Sequence, residues 1–544
     1  MGTADTPNGM RNNGARAWTL AELMACADLG PVASHLAETR ITAITDDSRR
    51  VSPGSCFVAV RGAGLDGHDF IDAAVRAGAA AIIVEREVPS RGGATIVRVP
   101  DTRETLARLA ATYFGVGSTN GHRPQGPAAH RRGLELIGVT GTNGKTTVTW
   151  LLRSIFEAAG QRTALFGTIE YDLIDRRVAA PLTTPSAIEL CGHLAEAKHA
   201  GATTAVMEVS SHALDQRRTD GLAFAAGVFT NLTGDHLDYH GDMDAYFAAK
   251  RRLFEGLSQE AVAVINYDDG RARHLRETCL ARTVTYSVGN RSADAYARIL
   301  ESDAHGTQFA MGLAESGRGP LTIAGQEGLC RAPADEAIRL KLPGLHNVSN
   351  ALAAAVTSMA LGIGWEAMRR GLEAVQTVPG RLQRIESPDR PFSVYVDYAH
   401  TDDALRNVLS ALRPITPGRL LCVFGCGGNR DRSKRPRMAA VAERLADLVF
   451  VTSDNPRRED PRAIIEDIVA GFARPRSVRI QPDRRQAIAA AIAEARAGDA
   501  VLIAGKGHED YQLVGDRVLP FDDASVAKEI LQQLEVSKMK EAVA

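Results

Sequence analysis

Apolar positions along this chain keep two rhythms, and the places where one gives way to the other mark its elements. Short continuous apolar runs at Cys56 to Val60 and Ala80 to Val84 predict buried strands. Between them Phe70, Ala73, Ala74 and Ala77 keep helical spacing up to Gly78, which predicts a small α/β unit. A second series opens with the strand at Leu134 (LELIGV), turns through glycines, and continues as a helix with apolar positions Val148, Leu151, Leu152, Ile155, Phe156 and Ala159, stopped at Gly160. Strands are also predicted at Thr204 to Val209, Ala225 to Phe229 and Ala261 to Asn266. After Pro379-Gly380 the rhythm restarts with strands at Val394 to Val396, Leu420 to Phe424, Leu448 to Val451 and Ala500 to Ile503. Strands alternating with helices imply mostly parallel sheets. Residues 300–340 keep neither period, and no element is assigned there. Polar, breaker-rich stretches at 1–15 and Val116 to Gly133 read as linkers. The division that follows is three α/β domains over 1–133, 134–379 and 380–544, the last a Rossmann-like doubly wound sheet.

Composition narrows the function without naming it. A chain of 544 residues exceeds what one core organises, which agrees with several domains. Lys plus Arg (64) nearly cancels Asp plus Glu (65), so there is no electrostatic case for nucleic acid or an anionic membrane as partner. No apolar run approaches the roughly 20 residues of a membrane span, and the first 30 residues lack the charged start and apolar core of a secretory leader. The chain is therefore expected to be cytoplasmic. Gly2 with Thr6 fits the loose myristoylation pattern, but no second anchoring signal accompanies it. Cys26, Cys56, Cys191, Cys279, Cys330, Cys422 and Cys426 show neither paired nor metal-ligand spacing and read as free thiols.

The chemistry concentrates where strands end. Gly141-Thr142-Asn143-Gly144-Lys145-Thr146-Thr147 lies between a strand and a helix, where backbone N–H groups and the helix N-terminus can cradle phosphates. Lys145 would neutralise the β and γ phosphates and Thr146 would hold Mg²⁺. The strict phosphate-loop pattern places glycine where this chain has Val139, so the loop is read as a variant using Gly138 and Gly141. Glu208 ends the strand TAVMEV and suits a second Mg²⁺ contact; a solvated strand-end glutamate is the plainer alternative. His236 and His240 stand four apart, yet Leu237 replaces the glutamate of a zinc HExxH helix, which favours magnesium with oxygen ligands. In the last domain four strands run into polar clusters: Asp397 to His400, Gly425 to Arg430, Asp454 to Arg457 and Gly505 to Glu509. Ordinary polar loops account for one or two of these, whereas a ligand crevice at the carboxyl edge of the sheet accounts for all four.

Together GTNGKTT (141), TTP (183–185), MEVSSH (207–212), TNLTGDHLDYH (230–240), AAK (248–250), HNVSN (346–350), GR (380–381) and DYAH (397–400) resemble the Mur ligases over almost the whole chain. DNPR (454–457) and AGKGHEDYQ (504–512) are similar to those that add meso-2,6-diaminopimelate. The resemblance implies a small N-terminal UDP-binding domain, a central ATPase-like domain and a C-terminal amino-acid-binding domain. It implies an ATP-dependent amide ligase of peptidoglycan precursor synthesis that joins diaminopimelate to UDP-N-acetylmuramoyl-L-alanyl-D-glutamate through an acyl phosphate. Lys145, Thr146, Glu208 and His236 match the family's phosphate and magnesium positions, and Lys250 matches a lysine carried as a carbamate, otherwise a helix-surface lysine beside Arg251 and Arg252. Asn347, Arg381 and Asp397 match adenine, γ-phosphate and ribose positions.

Thr183, Thr184, Ser210, Gln216 and Arg218 match contacts to the muramoyl peptide, and Ser48 matches a uridine-diphosphate contact. Leu182 and Ala63-Gly64-Leu65 depart from the family's polar residues, so those side chains receive no role. In the amino-acid pocket, Arg430 and Arg457 can fork onto a distal carboxylate that lysine lacks. Asp454 and Gly505 belong to the same clusters, Asn455 can add a hydrogen bond, Pro456 stiffens the turn, and Glu509 can pair with the distal ammonium. Arg458 fits a solvated run with Glu459 and Asp460 better than Arg457 does. A monomer acting on small molecules is expected. The alternatives are a lysine-adding or folylpolyglutamate-type ligase of the same superfamily, and a nucleotide switch that only hydrolyses ATP.

Overall fold

In the computed structural model, residues 18–31, 37–62, 64–89, 92–117, 133–314, 336–386 and 390–543 are described. Ala63, Cys330, residues 1–15, most of the 116–133 stretch and the middle of 300–340 lie outside them.

Three sheets carry the fold, each assembled from the apolar runs just described. The first has four parallel strands in chain order, Ala43–Thr45, Ser55–Val58, Ala81–Val84 and Thr95–Arg98. Ser55–Val58 and Ala81–Val84 are buried throughout, as continuous apolar runs require. Phe70 does not lie on the buried helix face expected of it. The helix is Ile71–Arg76, Phe70 is its exposed N-cap, and Ile71 and Ala74 face the core.

The central sheet has eleven strands. Its middle is parallel and runs Thr163–Phe166, Thr204–Glu208, Glu135–Thr140, Phe224–Phe229, Val262–Asn266, Arg282–Val288 and Ala295–Asp303. Antiparallel strands close both edges, and at the far edge Gly306–Leu313 and Ala337–Leu340 fill part of the region that had no readable period. Ala295–Asp303 alternates and is mostly exposed beyond its first residues, so it offers no continuous apolar run. Helices Lys145–Ala158, Leu345–Ala360 and Trp365–Ala374 bury one face of the sheet; Ala187–His199, Met243–Glu255 and Ala272–Thr278 bury the other.

The third sheet has six strands ordered Gln383–Ile385, Ser393–Asp397, Ala500–Ala504, Leu420–Phe424, Leu448–Val451, Arg479–Ile480, all parallel except the first pair. The chain leaves Ser393–Asp397, skips one place to Leu420–Phe424, and returns at the end to fill the gap with Ala500–Ala504. That reversal puts Asp402–Leu412, Lys434–Leu445 and Pro461–Val469 on one face and Arg484–Glu494 and Asp523–Val543 on the other, the doubly wound arrangement expected. The first unit is fastened to the second: Arg217 pairs with Asp101 at 2.8 Å and Glu104 at 3.0 Å, and Ile188 packs against the first unit's core.

Candidate active site

The loop at 141–147 leaves the strand Glu135–Thr140 and enters the helix Lys145–Ala158 through Gly144, whose φ of 88° is left-handed. Gly141 has φ 147°, and a Cβ there would meet the Thr230 hydroxyl at 1.9 Å, so glycine is required twice for conformation and space. Gly138 is not a loop residue. It sits inside the strand, where a Cβ would press on the Phe224 ring at 2.9 Å, so it serves packing. Val139 is a buried strand residue. Thr142 is buried in the turn and Thr147 in the first turn of the helix, and the Asn143 amide N–H is held by the Asn231 side chain at 2.9 Å. Lys145 Nζ donates to the carbonyls of Gly141 (3.0 Å) and Thr142 (2.9 Å), and burial lowers its pKa.

Next to this turn the Thr146 hydroxyl donates to Glu208 Oε1 at 2.9 Å. Glu208 is 1% exposed, which removes the solvated-glutamate alternative, and it is fixed by the N–H (2.9 Å) and hydroxyl (3.1 Å) of Thr168. Sequence reasoning missed Thr168 because its partner lies 40 residues away. Arg381 reaches in from beyond residue 380 and donates to Thr146 Oγ1 at 3.0 Å, while its guanidinium covers the Tyr398 ring. Asp397 accepts from the N–H groups of Leu382 and Ala399, and burial raises its pKa to about 6 against the pull of Arg381. Asn347 is buried, donates to the Pro343 carbonyl at 2.9 Å and accepts from Asn350, which also abuts Gly144.

Lys250 is 1% exposed, so the helix-surface alternative fails. Its Nζ donates to the Gly141 carbonyl at 2.8 Å and lies over the Tyr246 ring, a neighbour the sequence reading did not identify. Burial, then the nearby charge of Lys145, push its pKa well below the usual lysine value. His236 is not hydrogen-bonded to Thr146 or Glu208: its ring packs edge-on against His212, its Nε2 lies 3.5 Å from Asp235, and burial lowers its pKa to about 4. Among the described residues no three His, Cys, Asp or Glu side chains converge as a metal-binding set.

On the other side of Glu208, Thr184 donates to the Glu208 carbonyl and accepts from the Ser210 N–H, and Thr183 shares a hydrogen bond with Thr168. Arg218 donates to the Thr184 carbonyl at 2.8 Å and to Gln216 Oε1, joining four of the expected muramoyl-peptide residues in one network. Leu182 is exposed, and its carbonyl accepts from the Tyr171 hydroxyl. Ser48 opens a short turn, Ser48–Arg50, in the first unit, capped by Asp47.

The clusters of the third unit also converge. Arg457 Nη1 and the Arg430 Cγ lie 2.8 and 3.9 Å from where a Gly427 side chain would begin, so the Arg457 guanidinium and the root of the exposed Arg430 side chain meet at Gly427. Arg457 Nη1 donates to the Gly428 carbonyl at 3.1 Å. Arg458 instead pairs with Asp516 at the surface, and Glu459 is taken by the fully buried Arg435, so the solvated run does not include Arg457. Asn455, between Asp454 and Pro456, donates to Glu509 Oε2 at 2.8 Å. Glu509 also accepts from Lys506 at 3.1 Å. Lys506 stands inside the AGKGHEDYQ motif but received no role, because a buried lysine there has no periodic signature. Gly505 has φ 121° and brings its backbone against Asp454.

Family models for the Mur ligase family catalytic domain, the Mur ligase middle domain and the Mur ligase glutamate ligase domain match residues 40–114, 139–358 and 380–507. A UDP-N-acetylmuramoyl-L-alanyl-D-glutamate–2,6-diaminopimelate ligase of Solibacter usitatus is 43% identical over 94% of this chain and 98% of its own. A namesake from Syntrophomonas wolfei is 42% identical over 91% and 95%. A solved structure of that ligase superposes with TM-score 0.66 at 32% identity, covering 95% of this chain and all of its own (100%). A Mycobacterium tuberculosis folylpolyglutamate synthase, at 21% identity, TM-score 0.55 and coverage of 74% and 92%, shares the fold alone. The matched models, the identity along the whole chain and the three-sheet architecture agree that this chain belongs to the Mur ligase family.

Proposed function

We infer that this enzyme is an ATP-dependent, ADP-forming ligase that adds meso-2,6-diaminopimelate to the D-glutamyl carboxylate of UDP-N-acetylmuramoyl-L-alanyl-D-glutamate. The observation that carries the choice of amino acid is the meeting of the Arg457 guanidinium and the Arg430 stem at Gly427, with Asn455 and Glu509 hydrogen-bonded across the neighbouring loops. Two guanidinium groups suit a distal carboxylate, which diaminopimelate has and lysine lacks. Lysine would leave them without a partner and set its own cation against them. The relatives' names support the same reading.

We read the chain as a uridine-diphosphate-substrate domain over 1–133, an ATP domain over 134–379 and an amino-acid domain over 380–544. Ser48 belongs to the first; Thr183, Thr184, Ser210, Gln216 and Arg218 would hold the muramoyl peptide. The loop 141–147, Asn347 and Asp397 would hold ATP, with Lys145 and Arg381 balancing charge on the transferring phosphoryl group. Thr146 and Glu208 fit Mg²⁺: a hydroxyl and a carboxylate 2.9 Å apart suit an ion that keeps few protein ligands and completes its shell with phosphate and water. When bound, that ion would neutralise charge developing on the phosphates. His236 would contribute on the Asp235 side.

Lys250 fits a carbamate. Burial shifts its amine toward the neutral form that is nucleophilic toward CO₂, and the Lys145 cation would offset the resulting anion. The γ-phosphoryl group passes to a carboxylate oxygen of D-glutamate as ADP departs. The free amine then attacks the acyl carbon, the bond to phosphate breaks, and the amine loses a proton. Positioning and cations carry both steps, with no protein nucleophile. We take the enzyme to work as a cytoplasmic monomer; among the described residues no helix is long and apolar enough to cross a membrane.

The test is ADP formation over a full substrate panel. ADP should appear only when ATP, the muramoyl dipeptide and diaminopimelate are all present, with lysine a poor substitute. Phosphate release with ATP alone would favour a nucleotide switch, and equal turnover with lysine would overturn the amino-acid assignment.

A further inference from the structure

A lysine with no exposed surface sits among the acids of the amino-acid pocket. Lys506 donates to Glu509 at 3.1 Å and to Asn455 Oδ1 at 3.4 Å, lies 4.0 Å from Asp454, and covers the Tyr511 ring. Asp454 is itself 6% exposed, and its Oδ1 has no hydrogen-bond partner. A buried carboxylate left without a cation is costly.

The neighbouring charges can be counted. Arg484 borders Asp454 but is neutralised by Asp523 at 2.7 Å, and Arg435 is taken up by Glu459 and Asp467. Arg381 is turned to Thr146 and Tyr398. Burial keeps the Tyr398 and Tyr511 phenols protonated and holds His508 neutral, its pKa lowered to about 3. Asp510 is exposed and Lys434 lies toward His400 and Cys426. What remains is three cations, Arg430, Arg457 and Lys506, against two carboxylates, Asp454 and Glu509.

We propose that Lys506 is a charge-setting and positioning residue of the amino-acid pocket: by occupying one carboxylate's worth of negative charge, it makes the pocket accept diaminopimelate with one ammonium and one free amine. This rests on the substrate reading above. Diaminopimelate in that form carries two carboxylates and one ammonium, a net charge of minus one that matches the pocket's net plus one. Without Lys506 the two acids would call for a second cation, and the amine that must attack would be held protonated, its lone pair unavailable. Lys506 also fixes the Asn455 and Glu509 side chains through the hydrogen bonds it donates.

The experiment is the pH dependence of ADP formation by the full-length enzyme with diaminopimelate varied. Lys506→Met should raise the KM for diaminopimelate about tenfold or more, leaving that for ATP nearly unchanged, because Asn455 and Glu509 lose the hydrogen bonds that position them in the pocket. The pH at which kcat/KM rises should move up by about one unit, the amine now needing more base to lose its proton. Lys506→Arg should keep the pH rise in place, and Lys506→Met with Glu509→Gln should return it to the wild-type position. Should Lys506→Met not fold, Glu509→Gln alone leaves Lys506 in excess and should move the rise to lower pH; an upward move overturns the proposal. An unmoved rise in Lys506→Met, or equal increases in KM for all three substrates, also overturns it. No wild-type turnover with diaminopimelate would overturn the substrate reading and this proposal together, whereas wild-type turnover with an unmoved Lys506→Met profile would overturn the Lys506 role alone.

Discussion

Arg457 holds its place through its backbone as much as through its side chain. Its φ of 53° is left-handed, a conformation that costs a non-glycine residue roughly 1 kcal/mol or more, and it is held there by its N–H to Leu513 (2.9 Å) and its carbonyl from Gly515 (2.6 Å). Arg457→Ala should therefore raise the KM for diaminopimelate by about tenfold to a hundredfold, the range of one or two charge-assisted hydrogen bonds, and leave that for ATP nearly unchanged; steady-state kinetics with each substrate varied decides it. Lys250→Ala should lose turnover most severely at limiting Mg²⁺, and mass spectrometry of the native enzyme at high bicarbonate should show a CO₂ adduct on Lys250; wild-type turnover of the variant at limiting Mg²⁺ would discard the carbamate. Motif residues such as Lys145, Glu208 and Arg457 were legible as site candidates because each stands at or in the loop beyond a strand's carboxyl end with a chemical reason to be there. Thr168, Tyr246 and Lys506 were not, since their roles come from partners that only the folded chain supplies.

At the scale of elements, one buried arginine supports the loops that carry the pocket. Arg435, on the helix Lys434–Leu445, donates to both Glu459 oxygens at 2.8 Å, to Asp467 at 2.8 Å and to the Gly427 carbonyl at 3.3 Å. Glu459 in turn receives the Asn429 N–H. Arg435→Met should destabilise this unit by about 2 kcal/mol, less than the ~3–5 kcal/mol of a fully buried pair because Glu459 and Asp467 remain 18% and 30% exposed. Hydrogen bonds from Arg435 hold the Glu459 carboxyl at about 2, below its ordinary 4.5. A depressed carboxyl pKa stabilises the fold above the unfolded value, and that contribution fades as pH falls from 4.5 toward 2. Thermal melting of wild type should fall across that window more steeply than melting of Arg435→Met. Most strands buried on both faces were readable to within a residue or two, although the short, fully buried Thr163–Phe166 was missed. The Ala295–Asp303 and Gly306–Leu313 pair was not readable, because the first is mostly exposed beyond Ala297 and the second, though largely buried, is interrupted by Thr307, Gln308 and Gly312 and forms no continuous apolar run.

In the whole molecule, the phosphate loop belongs to one sheet and its charge partners to another. Asn143 donates across the junction to Asp403 at 3.1 Å, and Arg381 crosses it to Thr146. The alternation of strands and helices made three units readable; the contacts between them were not, because no local period encodes which loop faces which. The Arg381 contact has a kinetic consequence. On the proposed placement of ATP, a nucleotide lodged under a guanidinium that belongs to the neighbouring unit would leave only when that unit swings away, so its escape would be a large-scale displacement working against solvent friction. Turnover at saturating substrates should then slow as glycerol thickens the medium, while Arg381→Ala, slower overall, should lose that sensitivity to viscosity.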